Sequence, residues 1–275
     1  MHHDTNIKEK KSLKQKMGRY YIAATISIPI LLLLTAKYFI MEGRLEFITL
    51  NSLSSSIIAG AIFITGFLLA GVFSDYKEAD KIPAEMRSIL ESIIAEGDAL
   101  FRKDAGFAEN NQQIKHIAVR FIHEFEEGLS HMKDHSHVEH ALAEIRNFDE
   151  IFDDMERRGV PPNYMTRIKT EQSNLKKLLL RVYHIQKTKF VPSIVFLMDS
   201  MAVLGIALML FVKTDYYIGF VQVGIISYIL LYVRHLIIVL EKPFRKGKDD
   251  TEDDVSIFVL RELLQKLESE KGIIK

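Results

Sequence analysis

A carboxylate and a guanidinium stand inside apolar sequence. Asp199 lies within the run Val191 to Val212, and Arg234, followed by His235, lies within Tyr216 to Leu240. At 1.5 Å per helical residue Asp199 falls roughly 13 Å into its run, near a bilayer midplane. A lone carboxylate at that depth costs about 2.5–3.5 kcal/mol on insertion scales, so it requires a partner or must be neutral. Two arrangements satisfy it: an Asp199–Arg234 pair that holds two spans together, or a pair that lines a path for ions. Ser193, Ser200, Thr65 and Ser74 add hydroxyls of the kind found along pores, each unspecific alone.

The run from Leu53 to Phe73 is rich in small residues: Ala59, Gly60, Ala61, Gly66, Ala70 and Gly71. Small side chains let helices approach closely. Ile58, Ile62 and Gly66 fall four apart on one helical face, with Phe63 and Phe67 on a neighbouring one. This pattern serves helix packing. Repeated around a symmetry axis, it also builds an apolar constriction that gates by dewetting.

Two clusters have the composition of metal sites. His116, His123, His131, His135, His137 and His140 are interspersed with Glu124, Glu127, Asp134 and Glu139. His131 and His135 are one turn apart, a spacing that suits zinc or copper and equally suits a solvated helix end and loop. A role for these histidines in pH sensing would require coupling to a pore. The run Asp249, Asp250, Thr251, Glu252, Asp253, Asp254 precedes a helical pattern. Thr251 and Asp254 have capping-box spacing, and negative charge stabilises a helix N-terminus. The same oxygens are calcium ligands in kind, without the glycine turn and closing glutamate of an EF-hand.

The chain has no cysteine, which excludes disulfides, thiolate metal sites and thiol catalysis. No Walker lysine, nucleophile arrangement or dinucleotide glycine pattern is present, so the expectation is a protein that is not an enzyme and carries no organic cofactor. Lysines and arginines number 36, as do aspartates and glutamates, and this balance gives nucleic acid no purchase.

The elements that carry these residues follow from hydropathy. Four apolar runs, about Tyr20–Met41, Leu53–Phe73, Val191–Val212 and Tyr216–Leu240, are each long enough to cross a hydrocarbon core of about 30 Å. Lysines and arginines crowd the segments before the first run and after the fourth. The two short connections carry only Arg44 and Lys213. The positive-inside rule then puts both termini and the central block in the cytoplasm. The expected organisation is a basic N-terminal segment (1–19), transmembrane helices 1 and 2 (20–73), a cytoplasmic helical region (74–190), transmembrane helices 3 and 4 (191–240), and a cytoplasmic acidic segment and helix (241–275). Lys37, near the end of the first span, is expected to snorkel to the headgroups. Pro83 is expected to bend or restart the helix that continues from the second span. Within 74–190 the apolar residues recur at three- and four-residue steps, as in Ile114, Ile117, Phe121 and Phe125, and no strand alternation occurs. The fold class is all-α: an integral membrane protein with four transmembrane helices and a helical cytoplasmic region.

Two stretches now point to a family. Tyr76-Lys77-Glu78-Ala79-Asp80-Lys81-Ile82-Pro83 follows the second span, and Glu241-Lys242-Pro243-Phe244 leads into the acidic run. With the order of spans around a long helical block, the chain resembles the bestrophins and the wider bestrophin-like membrane proteins of bacteria. The resemblance implies a homo-pentamer around one axial pore, conduction of inorganic anions, and an apolar neck from the second span. Counting back from Pro83, the neck positions are Ile58, Ile62 and Gly66. It also aligns the acidic run (Asp249, Asp250, Glu252, Asp253, Asp254) with a calcium clasp. The chain departs from the family pattern in having no tryptophan, and in Lys242 and Arg245 flanking the Pro-Phe pair.

The expectation is therefore a multi-pass, homo-oligomeric ion channel of the cell membrane, permeable to chloride-like anions and in contact with lipid. The alternative is a non-conducting membrane-anchored scaffold or sensor whose cytoplasmic helices bind a partner.

Overall fold

The computed structural model describes residues 24–49, 51–130, 136–188, 191–244 and 254–272. They form helices α1 (Ala24–Glu42), α2 (Ser52–Lys103), α3 (Ala108–Ser130), α4 (Ser136–Arg157), α5 (Pro162–Lys187), α6 (Pro192–Phe211), α7 (Tyr216–Leu240) and α8 (Phe258–Gly272). A 3₁₀ turn, Ala105–Phe107, joins α2 to α3. Among the described residues the one extended pairing is a parallel bridge between Ile48 and Val212. The protein is all-α, and α1, α2, α6 and α7 are long and apolar enough to cross a membrane.

Local chemistry sets the helix ends. At the start of α2, the Asn51 side chain accepts from the Ser54 N–H at 2.9 Å, and the Ser54 hydroxyl accepts from the Asn51 N–H at 3.0 Å. This reciprocal cap satisfies donors that a helix N-terminus leaves open. α4 ends at Gly159, whose φ of +82° is the left-handed conformation glycine adopts freely. The Val160 N–H bonds the Met155 carbonyl and the Gly159 N–H bonds that of Glu156, closing a Schellman motif. Buried Val160 and Met155 supply its apolar contact, and Pro161 and Pro162 then open α5. α1 ends in the same motif, with Leu45 bonded to Ile40 and Arg44 to Met41. There the left-handed position is filled by Arg44, at φ +50°.

Pro83 neither ends nor restarts a helix: α2 runs unbroken through it for 52 residues. Proline removes only one backbone donor, here the one opposite the Ala79 carbonyl, and a long helix held by packing on both sides tolerates that loss. Ala79, Ile82, Pro83 and Met86 are all buried, so packing offsets the missing bond.

The described chain divides into two compact units, with the boundary on α2 between Tyr76 and Lys77. The apolar unit comprises α1, the first half of α2, α6 and α7. Its interior includes a cluster of Ala61, Ala202, Ile206 and Leu230. Gly205 faces Ala61 there: a Cβ on it would lie 3.7 Å from that of Ala61, so α2 and α6 approach closely. The charged unit comprises the second half of α2, α3, α4, α5 and α8. Phe121, Phe148 and Phe152 are fully buried in it, Phe148 and Phe152 stacking at 5.6 Å. Around this apolar interior the surface is laced with ion pairs, among them Arg87–Glu262, Lys115–Asp98, Arg120–Glu144 and Arg261–Glu126.

Candidate functional site

The first half of α2 divides cleanly into two faces. Ser54, Ile58, Ala61, Thr65, Leu68 and Val72 point into the apolar unit and are buried. Ala59, Ile62, Phe63, Gly66, Phe67, Ala70 and Phe73 are exposed on the other side. Three glycines on α2, Gly60, Gly66 and Gly71, have open space where a Cβ would be. Of the small residues on this helix, Ala61 serves packing within the chain, whereas these glycines leave a shallow uncovered surface.

The same division separates the four-residue series. Ile58 is 8% exposed and clusters with Met209, Val212 and Val223. Ile62 is 37% exposed, and Gly66 is exposed as well. The reason is drift: an α-helix turns 400° in four residues, so each step rotates the position by about 40°. Phe63 and Phe67 share the open side with Ile62 and Gly66. No acidic or basic residue occurs between Asn51 and Ser74.

Asp199 and Arg234 are brought together. The Arg234 Nε donates to Asp199 Oδ1 at 2.6 Å and Nη2 donates to Oδ2 at 3.2 Å, a two-pronged contact between α6 and α7. Asp199 is the eighth residue of α6 and Arg234 stands six before the end of α7. Each is therefore about 10 Å along its helix from the end away from the α6–α7 connection. The side chains keep 41% (Arg234) and 35% (Asp199) of their surface exposed. The pair lies at the rim of the unit, facing whatever surrounds a single chain.

Lys37 does the opposite of what its position predicts. It does not snorkel; its side chain is completely buried. Its Nζ donates to Glu46 at 2.6 Å, to the Val212 carbonyl at 2.8 Å and to the Leu210 carbonyl at 3.0 Å, with the Met209 carbonyl at 3.5 Å. These carbonyls are the ones the last turn of α6 leaves without helical donors. The remaining one, of Phe211, accepts from the Ile48 N–H at 3.1 Å. A cation is favoured there because the helix C-terminus carries partial negative charge. Gly219 on α7 makes room: a Cβ would meet Lys37 Cε at 3.0 Å and Thr214 Oγ1 at 2.5 Å. The visible sequence signal is Glu46, an acid nine residues beyond Lys37 in a short connection whose one cation is Arg44.

His131 and His135 lie outside the described residues, as do Asp249, Asp250, Glu252 and Asp253. Asp254, at the edge of the acidic run, is half-buried. Among the described residues no group of three or more His, Cys, Asp or Glu side chains converges on a metal position. His123 contacts Glu268 at 3.2 Å, and His140 lies 3.7 Å from Glu124. The Val255 N–H bonds the Pro243 carbonyl at 2.7 Å, and Phe244 is buried, so the Pro-Phe pair anchors the chain ahead of α8. Asp154 and Lys169 are among the groups of the charged unit whose acidities are shifted. The Asp154 carboxyl is held below its ordinary value, chiefly by the hydrogen bond from Asn110 and further by Arg158 and Arg157. Lys169 is held above its own, chiefly by its hydrogen bond to Glu156.

The sequence matches no protein-family model and none of the curated proteins. Solved structures do match. A bacterial bestrophin homologue from Klebsiella pneumoniae, in a form with one tryptophan replaced by alanine, superposes with a TM-score of 0.77 at 13% identity, covering 91% of this chain and 98% of that one. A second form of that homologue, with a leucine replaced by threonine, superposes at 0.75 and 13% identity, covering 90% and 99%. A structure described only as a membrane protein, with a glycine replaced by alanine, gives 0.74 at 14% identity, covering 90% and 98%. The chain therefore has the bestrophin-like fold over nearly its whole length.

Proposed function

We propose that this chain is an oligomeric channel of the cell membrane that conducts inorganic anions through a pore lined by α2. The single observation that carries the reading is the open face of α2. It is apolar, free of charge from Asn51 to Ser74, and uncovered in one chain. Copies arranged about an axis would cover it and leave a narrow apolar passage, which gates by dewetting. The resemblance to bestrophins implies five copies and anion conduction, and the fold shared with bestrophin homologues supports carrying both over. Ile62, Phe63, Gly66 and Phe67 are the lining and gate positions, with Ile58 behind them in the wall. The charged unit and both termini lie in the cytoplasm, the side favoured by the distribution of lysine and arginine around the spans. The paired Asp199 and Arg234 neutralise each other at the rim of the unit, where a neighbouring copy or lipid meets them.

The test is current across a planar bilayer containing the purified protein under a potassium chloride gradient. The reading expects a reversal potential near the chloride equilibrium value, and a higher conductance for Ile62→Ala. A reversal near the potassium value would retain a channel and discard anion selectivity. Silence from folded oligomers over a range of pH and calcium would replace the channel with the membrane-anchored scaffold.

A further inference from the structure

α5 changes character halfway along. In its first half, basic residues have carboxylate partners: Arg167 pairs with Glu96 at 2.5 Å and Lys169 with Glu156 at 2.7 Å. From Gln172 to Met198 there is no acidic residue at all. Lys176, Lys177, Arg181, His184 and Lys187 occupy that stretch and are exposed. Arg181 pairs with Glu78 on α2 at 2.9 Å. Lys176, Lys177 and Lys187 form no ion pair among the described residues, and Lys187 lies 6.0 Å from the Tyr183 ring.

The spacing puts these cations together. At 3.6 residues per turn the five basic residues fall within an arc of about 140°. The buried residues of this half, Leu175, Leu179 and Val182, lie outside it. Within the arc sits one large apolar side chain, Leu180, which is 42% exposed. A basic face with an exposed leucine suits the boundary between headgroups and acyl chains. In sequence the face ends close to a candidate span. Pro192, which opens α6, follows Lys187 by five residues, a span of at most about 18 Å when fully extended.

We propose that the second half of α5 is a docking face for the phosphate headgroups of anionic lipids, with Lys176, Lys177 and Lys187 supplying the charge and Leu180 the apolar contact. Juxtamembrane lysine clusters attract anionic lipid and lose that attraction over about a Debye length. The three lysines are the natural donors because, among the described residues, no carboxylate competes for them. The proposal holds whether or not the chain conducts.

The experiment uses the full chain in a neutral detergent, given phosphatidylglycerol or phosphatidylcholine at equal mole fraction, with retained lipid counted by native mass spectrometry. The expected result is preferential retention of phosphatidylglycerol, lowered about tenfold or more in the Lys176→Gln/Lys177→Gln/Lys187→Gln variant, at roughly fivefold per lysine before mutual screening. Phosphatidylcholine retention should not change. Lys169→Gln, which removes a paired lysine of the same helix, should retain phosphatidylglycerol as the native chain does. The triple Lys→Arg variant keeps the charge and should do the same, which separates docking from folding. Three results would overturn the proposal: equal retention of the two lipids, undiminished phosphatidylglycerol on the folded triple-Gln variant, or its displacement by equimolar inorganic phosphate.

Discussion

Lys37 and Arg234 are both cations on apolar helices of one unit, and each meets one carboxylate, but their surroundings differ in kind. Lys37 has no exposed surface and spends its three N–H groups on Glu46 and the C-terminal carbonyls of α6. Arg234 and Asp199 retain more than a third of their surface and satisfy mainly each other. The first arrangement fastens the α1–α2 connection to the end of α6 and belongs to the fold of a single chain. The second leaves charged atoms facing outward, at a rim that an assembly or lipid must cover. Burial is thus the property that separates a cation holding the fold from one available to its surroundings. Sequence hydropathy alone assigns both to the same class.

The comparison can be broken most directly at Lys37. Lys37→Met should cost about 3–5 kcal/mol, because it strands the Glu46 carboxylate, only 13% exposed, along with helix-end carbonyls. Thermal unfolding in detergent would show it, and Lys37→Met combined with Glu46→Gln should recover part of the loss. A native-like melting curve for the single variant would remove Lys37 from the fold's supports. Next in size, Gly219→Ala should cost about 1–3 kcal/mol by forcing a methyl onto Thr214 and Lys37. The same substitution at Gly66, which has open space, should leave the stability of the single chain nearly unchanged.

Asp199→Asn should cost less than Lys37→Met, about 1–2 kcal/mol. The freed Arg234 stands six residues from the end of α7 and can extend its side chain toward the headgroups. A double-mutant cycle should give Asp199–Arg234 a smaller coupling than Lys37–Glu46; the reverse order would contradict the contrast in burial. Smaller again, Arg44→Gly should raise stability by about 1 kcal/mol by relieving the left-handed conformation that a side chain disfavours. The least effect belongs to a half-buried carboxylate of the charged unit, Asp154. Because the folded Asp154 carboxyl titrates below its unfolded value, its contribution is present above the unfolded carboxylate pKa, about 3.9. It is lost as pH falls through the folded value. The difference in melting temperature between the native chain and Asp154→Asn should therefore shrink as pH drops from neutral to about 3. A constant difference would show that the carboxylate charge is not what matters there.

Much of this was legible in the residues. Apolar runs and three- and four-residue periodicity placed the helices, because burial against neighbouring helices leaves that imprint. Asp199 and Arg234 were readable as partners because so few charges interrupt those runs. Three features were not readable. Pro83 lies inside α2 because packing on both sides of it outweighs a single missing hydrogen bond, and a sequence shows the proline but not the packing. Lys37 is buried because the α6 C-terminus happens to lie beside it, a contact between residues more than 170 apart. Ile58 leaves the open face because rotation accumulates along a straight helix, which a rule of fours ignores.

The lining of α2 is the claim on which the functional reading turns, and the chain's lack of cysteine makes it directly measurable. Single cysteines at Ile62, Gly66 and, as a comparison on α6, Val203 would be treated with a charged, water-soluble thiol reagent during bilayer recording. The account predicts that modification at Ile62 and Gly66 changes the current, with no change at Val203, an exposed position on α6. Persistent, unaltered current after treatment of open channels carrying cysteine at Ile62 or Gly66 would contradict it and place the conducting path elsewhere.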